Sequence, residues 1–185
     1  MLLNNAGLVV DDRVVLAPGE PWDIFFFVGE IVEGARQGHF AGAYASMPYV
    51  MRKHGLDCAR AILARRLPWR RGKAGIRFVV ARKAGQVLGA MLLKDVSLDD
   101  GAPAVLLEYL VVAESARRAG IGRLLVDYAL RRAPAGGVEC FCTDFSRGMQ
   151  RLLKRQGFVR THRAKEIQVN QDSRVALPAR FLWKP

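Results

Sequence analysis

The chain is short of acidic residues, cysteine and histidine, and it has no long apolar run; each shortage removes a class of protein. Seventeen Asp and Glu stand against 29 Lys and Arg, a formal charge of +12. A surplus of that sign disfavours cationic partners and favours polyanions: nucleic acid, anionic lipid or a phosphorylated cofactor. No apolar run nears the roughly 20 residues that a membrane-spanning helix needs, and Met1 to Asp12 holds no basic segment leading into a long apolar one. A cytoplasmic protein without a membrane partner is therefore expected. Cys58, Cys140 and Cys142 are odd in number, and the Cys-x-Cys pair lacks the spacing of common zinc motifs, so reduced, packed thiols and no metal are expected. His39, His54 and His162 are isolated from one another and stand in neither metal nor triad spacing, which makes them surface or packing residues. There is no internal repeat, linker or low-complexity segment.

What is present fits one globular domain over residues 1–185: 51% hydrophobic and 25% charged residues, with the apolar ones spread along the whole length. Residues 9–16 look like two short strands around an acidic turn, broken by Pro and Gly over 17–21. From Asp23, placed as an N-cap, apolar positions recur at helical spacing until Gly38. The aromatic cluster Trp22, Phe25, Phe26 and Phe27 is expected to pack this helix on a sheet. A second helix is expected over 48–67, with Gly55 as a weak point and Pro68 closing it. Strands follow over 76–81, 87–96 and 104–112, joined by turns at Ala84-Gly85 and Asp99-Asp100-Gly101. The third strand is almost wholly apolar, as a strand covered on both faces should be, and Glu108 is its only charge. A helix with Ile121, Leu124, Leu125 and Tyr128 on one face, a strand over 138–143, and a short helix capped by Ser146 and Gly157 come next. A strand starts at Phe158, and 166–169 and 180–183 are further strand candidates.

The chemistry concentrates where the apolar strand feeds the third helix. A helix start offers unpaired N–H groups and a partial positive charge to an anion. Gly120 and Gly122 carry no Cβ, so a diphosphate can approach the backbone there, with Arg117, Arg118 and Arg123 adding full charges. A dinucleotide-binding pattern is disfavoured, because its third glycine would fall at Leu125 and antiparallel strands precede the motif.

With this loop in its strand-to-helix setting, the sequence resembles the GCN5-related N-acetyltransferase superfamily. The likeness spans roughly residues 14–163 and rests on three things: the element order, the R-x-x-G-x-G signature from Arg117 to Gly122, and the Gln156-Gly157-Phe158 end of the fourth helix. The resemblance implies an α+β fold: a mixed, mostly antiparallel sheet flanked by about four helices, with an acyl-CoA cleft between strands four and five. It implies that backbone groups of Leu110, Val111 and Val112 pair with the pantetheine arm. Arg117, Arg118, Ala119, Gly120, Ile121 and Gly122 would hold the pyrophosphate of acetyl-CoA or another acyl-CoA, with a small-molecule or peptide amine as acceptor. A homodimer is left open.

An amine attacks a thioester only when neutral, and an alkyl ammonium with a pKa of about 10.4 is rarely so at neutral pH. Glu108 is the candidate base, since a carboxylate in an apolar strand should have a raised pKa. The alternative is that it pairs with an arginine or simply lines a wet cleft. Many relatives place a thiolate-protonating tyrosine four residues before the Gly-Phe pair; here that position is Leu153. Tyr109, Thr143 and Ser146 are the substitutes, although strand alternation would turn Tyr109 away from Glu108. Two further readings stand beside N-acyl transfer. The +12 charge fits a nucleic-acid-directed protein, either an RNA binder or an acyltransferase on charged RNA, and Leu153 fits a silent acyl-CoA sensor.

Overall fold

Alternating and continuous apolar runs must bury against something, and the sheet they form fixes where the helices sit. In a computed structural model, residues 13–40, 48–67, 75–170 and 173–185 are described. The expected strand over 9–12, the tryptophan Trp69 and the basic turn of Arg70, Arg71 and Lys73 lie outside them. Strands β1 (Val15–Pro18), β2 (Ile76–Lys83), β3 (Gln86–Ser97), β4 (Pro103–Val112), β5 (Val138–Cys142), β6 (Val159–His162) and β9 (Ala179–Trp183) form one seven-stranded sheet in the order β1-β2-β3-β4-β5-β9-β6. Its neighbours run antiparallel except for β4 and β5, which are parallel.

The hairpin between β2 and β3 turns where the sequence predicts. Ala84 and Gly85 both have positive φ, the pair of conformations whose twist suits a two-residue connection. Helices α1 (Asp23–Arg36) and α2 (Pro48–Arg66) cover one face of the sheet over Phe27, Ile31, Cys58, Val80, Leu92 and Val111. Helices α3 (Ile121–Leu130) and α4 (Arg147–Arg155) cover the other over Met91, Leu107, Leu125, Leu153 and Phe181. With both faces covered, β2 to β4 read as near-continuous apolar runs. Buried Glu139 on β5 is tolerated because Arg180 on β9 pairs with it.

Several local expectations are corrected. Asp23 is not the N-cap of α1: Trp22 holds that position with helical dihedrals and makes no side-chain cap bond. The turn begins at Glu20 and Pro21, and the Asp23 carboxylate reaches back to accept the Glu20 N–H at 2.7 Å while also pairing with Arg82. Of the aromatic cluster, Phe27 is fully buried, but Trp22 and Phe25 are 78% and 77% exposed, because Asp23 and Phe27 already occupy the inward positions of that turn. Gly55 does not interrupt α2. Ser146 stands at the N-cap of α4 without a side-chain cap bond.

The other end of α4 closes as Gly157 predicts. With φ at +85°, its N–H donates to Lys154 O at 3.1 Å, and the Phe158 N–H donates to Leu153 O at 3.0 Å. The stretch between the last two strand candidates also contains a strand, β8 (Ser173–Leu177), which pairs with β7 (Lys165–Asn170) as a separate two-stranded sheet. A hairpin that pairs its own backbone leaves little apolar patterning to read.

Gly137 has φ at +86°, and a Cβ there would fall on the carbonyl of Trp183 in the neighbouring strand. Gly85 has φ at +80° with open space around it. Gly137→Ala is expected to lower stability by roughly 2–4 kcal/mol and Gly85→Ala by about 1 kcal/mol, measured by urea unfolding.

Candidate active site

The site begins with one surplus residue. Leu92 of β3 faces Tyr109 of β4, and the next residue, Leu93, faces Leu107, so Glu108 has no partner in the register and forms a bulge. A bulge breaks the alternation of faces. Tyr109 therefore does not turn away from Glu108. Tyr109 shares a 3.1 Å hydrogen bond with His54 of α2 and packs edge-on to Phe27 of α1, while Glu108 meets Lys94 on that same face.

The bulge also marks where β4 leaves β5. The parallel pairing covers only Val105 with Val138, Leu106 with Glu139 and Leu107 with Cys140. From Glu108 onward β4 has no strand partner on that side among the described residues, and a cleft of about 880 Å³ opens. Glu108, Leu110, Val111, Val112, Arg117, Arg118, Gly120 and Gly122 all line it, so most of the expected site residues converge. Ala119 and Ile121 do not: the side chain of Ile121, the first residue of α3, is 3% exposed and packs in the core.

The two signature glycines have different reasons. Gly120 adopts φ +83° at the N-cap of α3, and nothing lies within 4 Å of the point a Cβ would occupy, so its conformation, not crowding, demands glycine. A Cβ on Gly122 would press to 3.3 Å from Leu152 of α4. Arg118 has φ +66°, a left-handed conformation that an L side chain adopts at some cost. Together these turns place the start of α3, at Gly120, Gly122 and Arg123, on the cleft wall. Arg123, Arg151 and Arg155 line the same cleft, giving five arginines with Arg117 and Arg118 against the two carboxylates of Glu30 and Glu108. The i, i+4 spacing of Arg151 and Arg155 was the available sequence signal.

A strap closes one side. The Thr143 hydroxyl donates to Gly38 O at 2.9 Å and the Ser146 hydroxyl to His39 O at 2.8 Å, tying the end of α1 to the start of α4. Both hydroxyls are thus committed to carbonyls, which counts against either as the proton donor. Leu153, at the position where relatives carry tyrosine, is fully buried in the core and does not line the cleft.

Behind Glu108 lies a polar group that the sequence pattern does not reveal. Lys94 Nζ is 2.7 Å from Glu108 Oε2 and donates to Oε1 at 2.9 Å; it also donates to Asp57 Oδ2 at 2.6 Å. Glu108 thus has a cation beside it, as one alternative read from the sequence allows, but the cation is a lysine of β3 rather than an arginine. Burial works to raise the Asp57 pKa, but the Lys94 hydrogen bond and charge, with Arg60, outweigh it and hold the carboxyl below its usual value. Burial likewise opposes the charged form of Lys94, yet Asp57 and Glu108 raise its pKa. His54 is lowered by burial, then by the charges of Lys94 and Lys53. Ligand-type atoms of His54, Asp57 and Glu108 lie within 4.8 Å of one another. That proximity could not be read from isolated histidines, and an ammonium already serves both carboxylates.

The model of the Acetyltransferase (GNAT) family matches residues 48–158, more than half of the chain. No curated relative matches it. Among solved structures, the Salmonella typhimurium protein yncA with its cofactor acetyl-CoA is 16% identical with a TM-score of 0.64, over 92% of this chain and 93% of that one. NAA60 of Arabidopsis thaliana, in complex with a bisubstrate analogue, is 15% identical with a TM-score of 0.64, over 94% and 99%. A GNAT-family acetyltransferase of Bacillus cereus is 15% identical with a TM-score of 0.57, over 93% and 97%. At these identities the likeness is one of fold.

Two outcomes follow from the titrating groups. Because the folded pKa of Asp57 is depressed, its stabilisation is present above the unfolded value and lost as pH falls. The gap in unfolding free energy between the parent and Asp57→Asn is expected to be full at neutral pH, above the usual carboxyl value, and to close as pH falls through the lowered value of the folded state. Cys58, Cys140 and Cys142 are all buried, and burial pushes the Cys58 thiol up to about 12. A thiol reagent should find almost no fast-reacting cysteine in the native protein and all three after unfolding.

Proposed function

The chain belongs to the Acetyltransferase (GNAT) family, and from that membership we propose that it transfers the acetyl group of acetyl-CoA to a primary amine by direct attack in a ternary complex. The observation that carries this reading is the wedge between β4 and β5, which opens at Glu108 and leads along Leu110 to Val112 to the amides that start α3. An extended thioester arm fits such a wedge, because on its β5 side the β4 backbone there has no strand partner among the described residues and can pair with the arm's amides.

In this reading Arg117 to Gly122 hold the pyrophosphate by backbone N–H groups and side-chain charge, and Leu110, Val111 and Val112 hold the pantetheine. The acceptor nitrogen adds to the thioester carbon, and its proton passes to Glu108 directly or through one water. A backbone N–H of the 110–112 segment meets the oxyanion. The carbon–sulfur bond then breaks, and the sulfur leaves as thiolate. A thiol with a pKa near 8.5 needs no dedicated acid for this, which accommodates Leu153 in the core and the committed hydroxyls of Thr143 and Ser146. The acceptor is an amine small enough, or on a peptide thin enough, to reach Glu108 from the α1–α2 face.

Acetyl-CoA incubated with a panel of amines is expected to release free thiol. Glu108→Gln should lower kcat by roughly 10²- to 10³-fold while the KM for acetyl-CoA changes by no more than about twofold. A Glu108→Gln enzyme turning over at the parental rate would remove Glu108 from the mechanism. Tight acetyl-CoA binding with no turnover across the panel would favour a sensor over an enzyme.

A further inference from the structure

Charges alternate along one line from solvent to the cleft. Arg60, exposed on α2, lies 3.2 Å from Asp57 Oδ1. Asp57 Oδ2 accepts from Lys94, and Lys94 bridges to Glu108, whose side chain lines the cleft. The order is cation, anion, cation, anion. The three inner side chains are largely buried, at 5%, 19% and 17% exposure for Asp57, Lys94 and Glu108. Each buried charge is tolerable only because its neighbour has the opposite sign. The alternation ends on a carboxylate, so the next member, arriving through the cleft, is a cation.

Lys94 raises a difficulty for a base. An ammonium held wholly by Glu108 would oppose both the docking of a second ammonium and the acceptance of its proton. Asp57 relieves this, since its carboxylate accepts from the same Nζ at 2.6 Å and shares the lysine's charge with Glu108, whose oxygens lie 2.7 and 2.9 Å from it. Oε2 of Glu108, 2.7 Å from Nζ, is shut off from solvent, so an arriving group meets the 17% of the side chain that stays exposed in the cleft.

We propose that Asp57 is a positioning residue for the acceptor that acts through Lys94: it takes a share of the lysine's charge so that Glu108 can receive an alkylammonium. The primary amine of the proposed reaction then docks in its charged form, loses one proton through Glu108 to solvent before it attacks, and gives Glu108 a second after addition. This rests on Glu108 being the base, and the test separates the two.

Steady-state rates are compared for the parent, Asp57→Asn, Asp57→Asn with Lys94→Met, and Glu108→Gln with and without Asp57→Asn. Asp57→Asn, which leaves the whole lysine charge on Glu108, is expected to raise the amine KM and lower kcat/KM for the amine about 30-fold, with the acetyl-CoA KM within about twofold of the parent. Adding Lys94→Met should restore kcat/KM to within about fivefold of the parent. A merely structural role gives the opposite, because the double variant loses more contacts. In the Glu108→Gln background, Asp57→Asn should change nothing further. If Glu108→Gln is slow but Asp57→Asn matches the parent, or the double variant is no faster than Asp57→Asn, the inference is overturned while the base survives. If Glu108→Gln is as fast as the parent, it is the base that fails. Should Asp57→Asn not fold, the double variant decides: a rate within about fivefold of the parent supports the proposal, and one more than about 30-fold slower overturns it.

Discussion

Strands β4 and β5 run side by side for three residue pairs and then part, and nearly everything about the site follows from that parting. A parallel pair is held by evenly spaced hydrogen bonds and will continue unless something bends one strand. The bend here is Glu108, a residue with no partner in the β3 register. Past it, the β4 backbone is unpaired toward β5, the cleft opens, and α3 begins at Ile121 beyond the turns that follow β4. One inserted residue thus opens the gap and places a carboxylate at its apex.

Charge is arranged around that gap in two regimes. Along the cleft wall, five arginines stand against Glu30 and the apical Glu108, an imbalance suited to a phosphate-bearing ligand. At the apex, the charges are matched pairwise from Arg60 through Asp57 and Lys94 to Glu108. The first regime sits in a solvated groove, where surplus charge is tolerated. The second is largely buried, where an unpaired charge would cost several kcal/mol. The formal charge of +12 is therefore not spread evenly with respect to function. Positive charge is in surplus along the cleft wall and matched at its apex.

Elements with a strong local signal were legible in the sequence. The i, i+3, i+4 spacing of α1 and α3, the Ala84-Gly85 turn and the glycine end of α4 each depend on neighbours in the chain, and each stands where the spacing puts it. Features that depend on distant partners were not. Trp22 and Phe25 satisfy a helical pattern yet face solvent, because the inward positions of that turn belong to Asp23 and Phe27. Ser146 has the residue type and place of a cap, but its hydroxyl is taken by His39 from across the cleft. The β7–β8 hairpin pairs with itself and so left no core-facing pattern.

By itself the sequence determined the family, the order of elements, the glycine-arginine start of α3 and the one charged residue in an apolar strand, because these are local in the chain or carried by a contiguous motif. Only the tertiary structure decided what surrounds that charge. Asp57 and Lys94 stand 37 residues apart, on a helix and a strand whose packing no periodicity reports. The bulge that turns Tyr109 and Glu108 to one face is a property of the β3–β4 register, which arises when two strands meet.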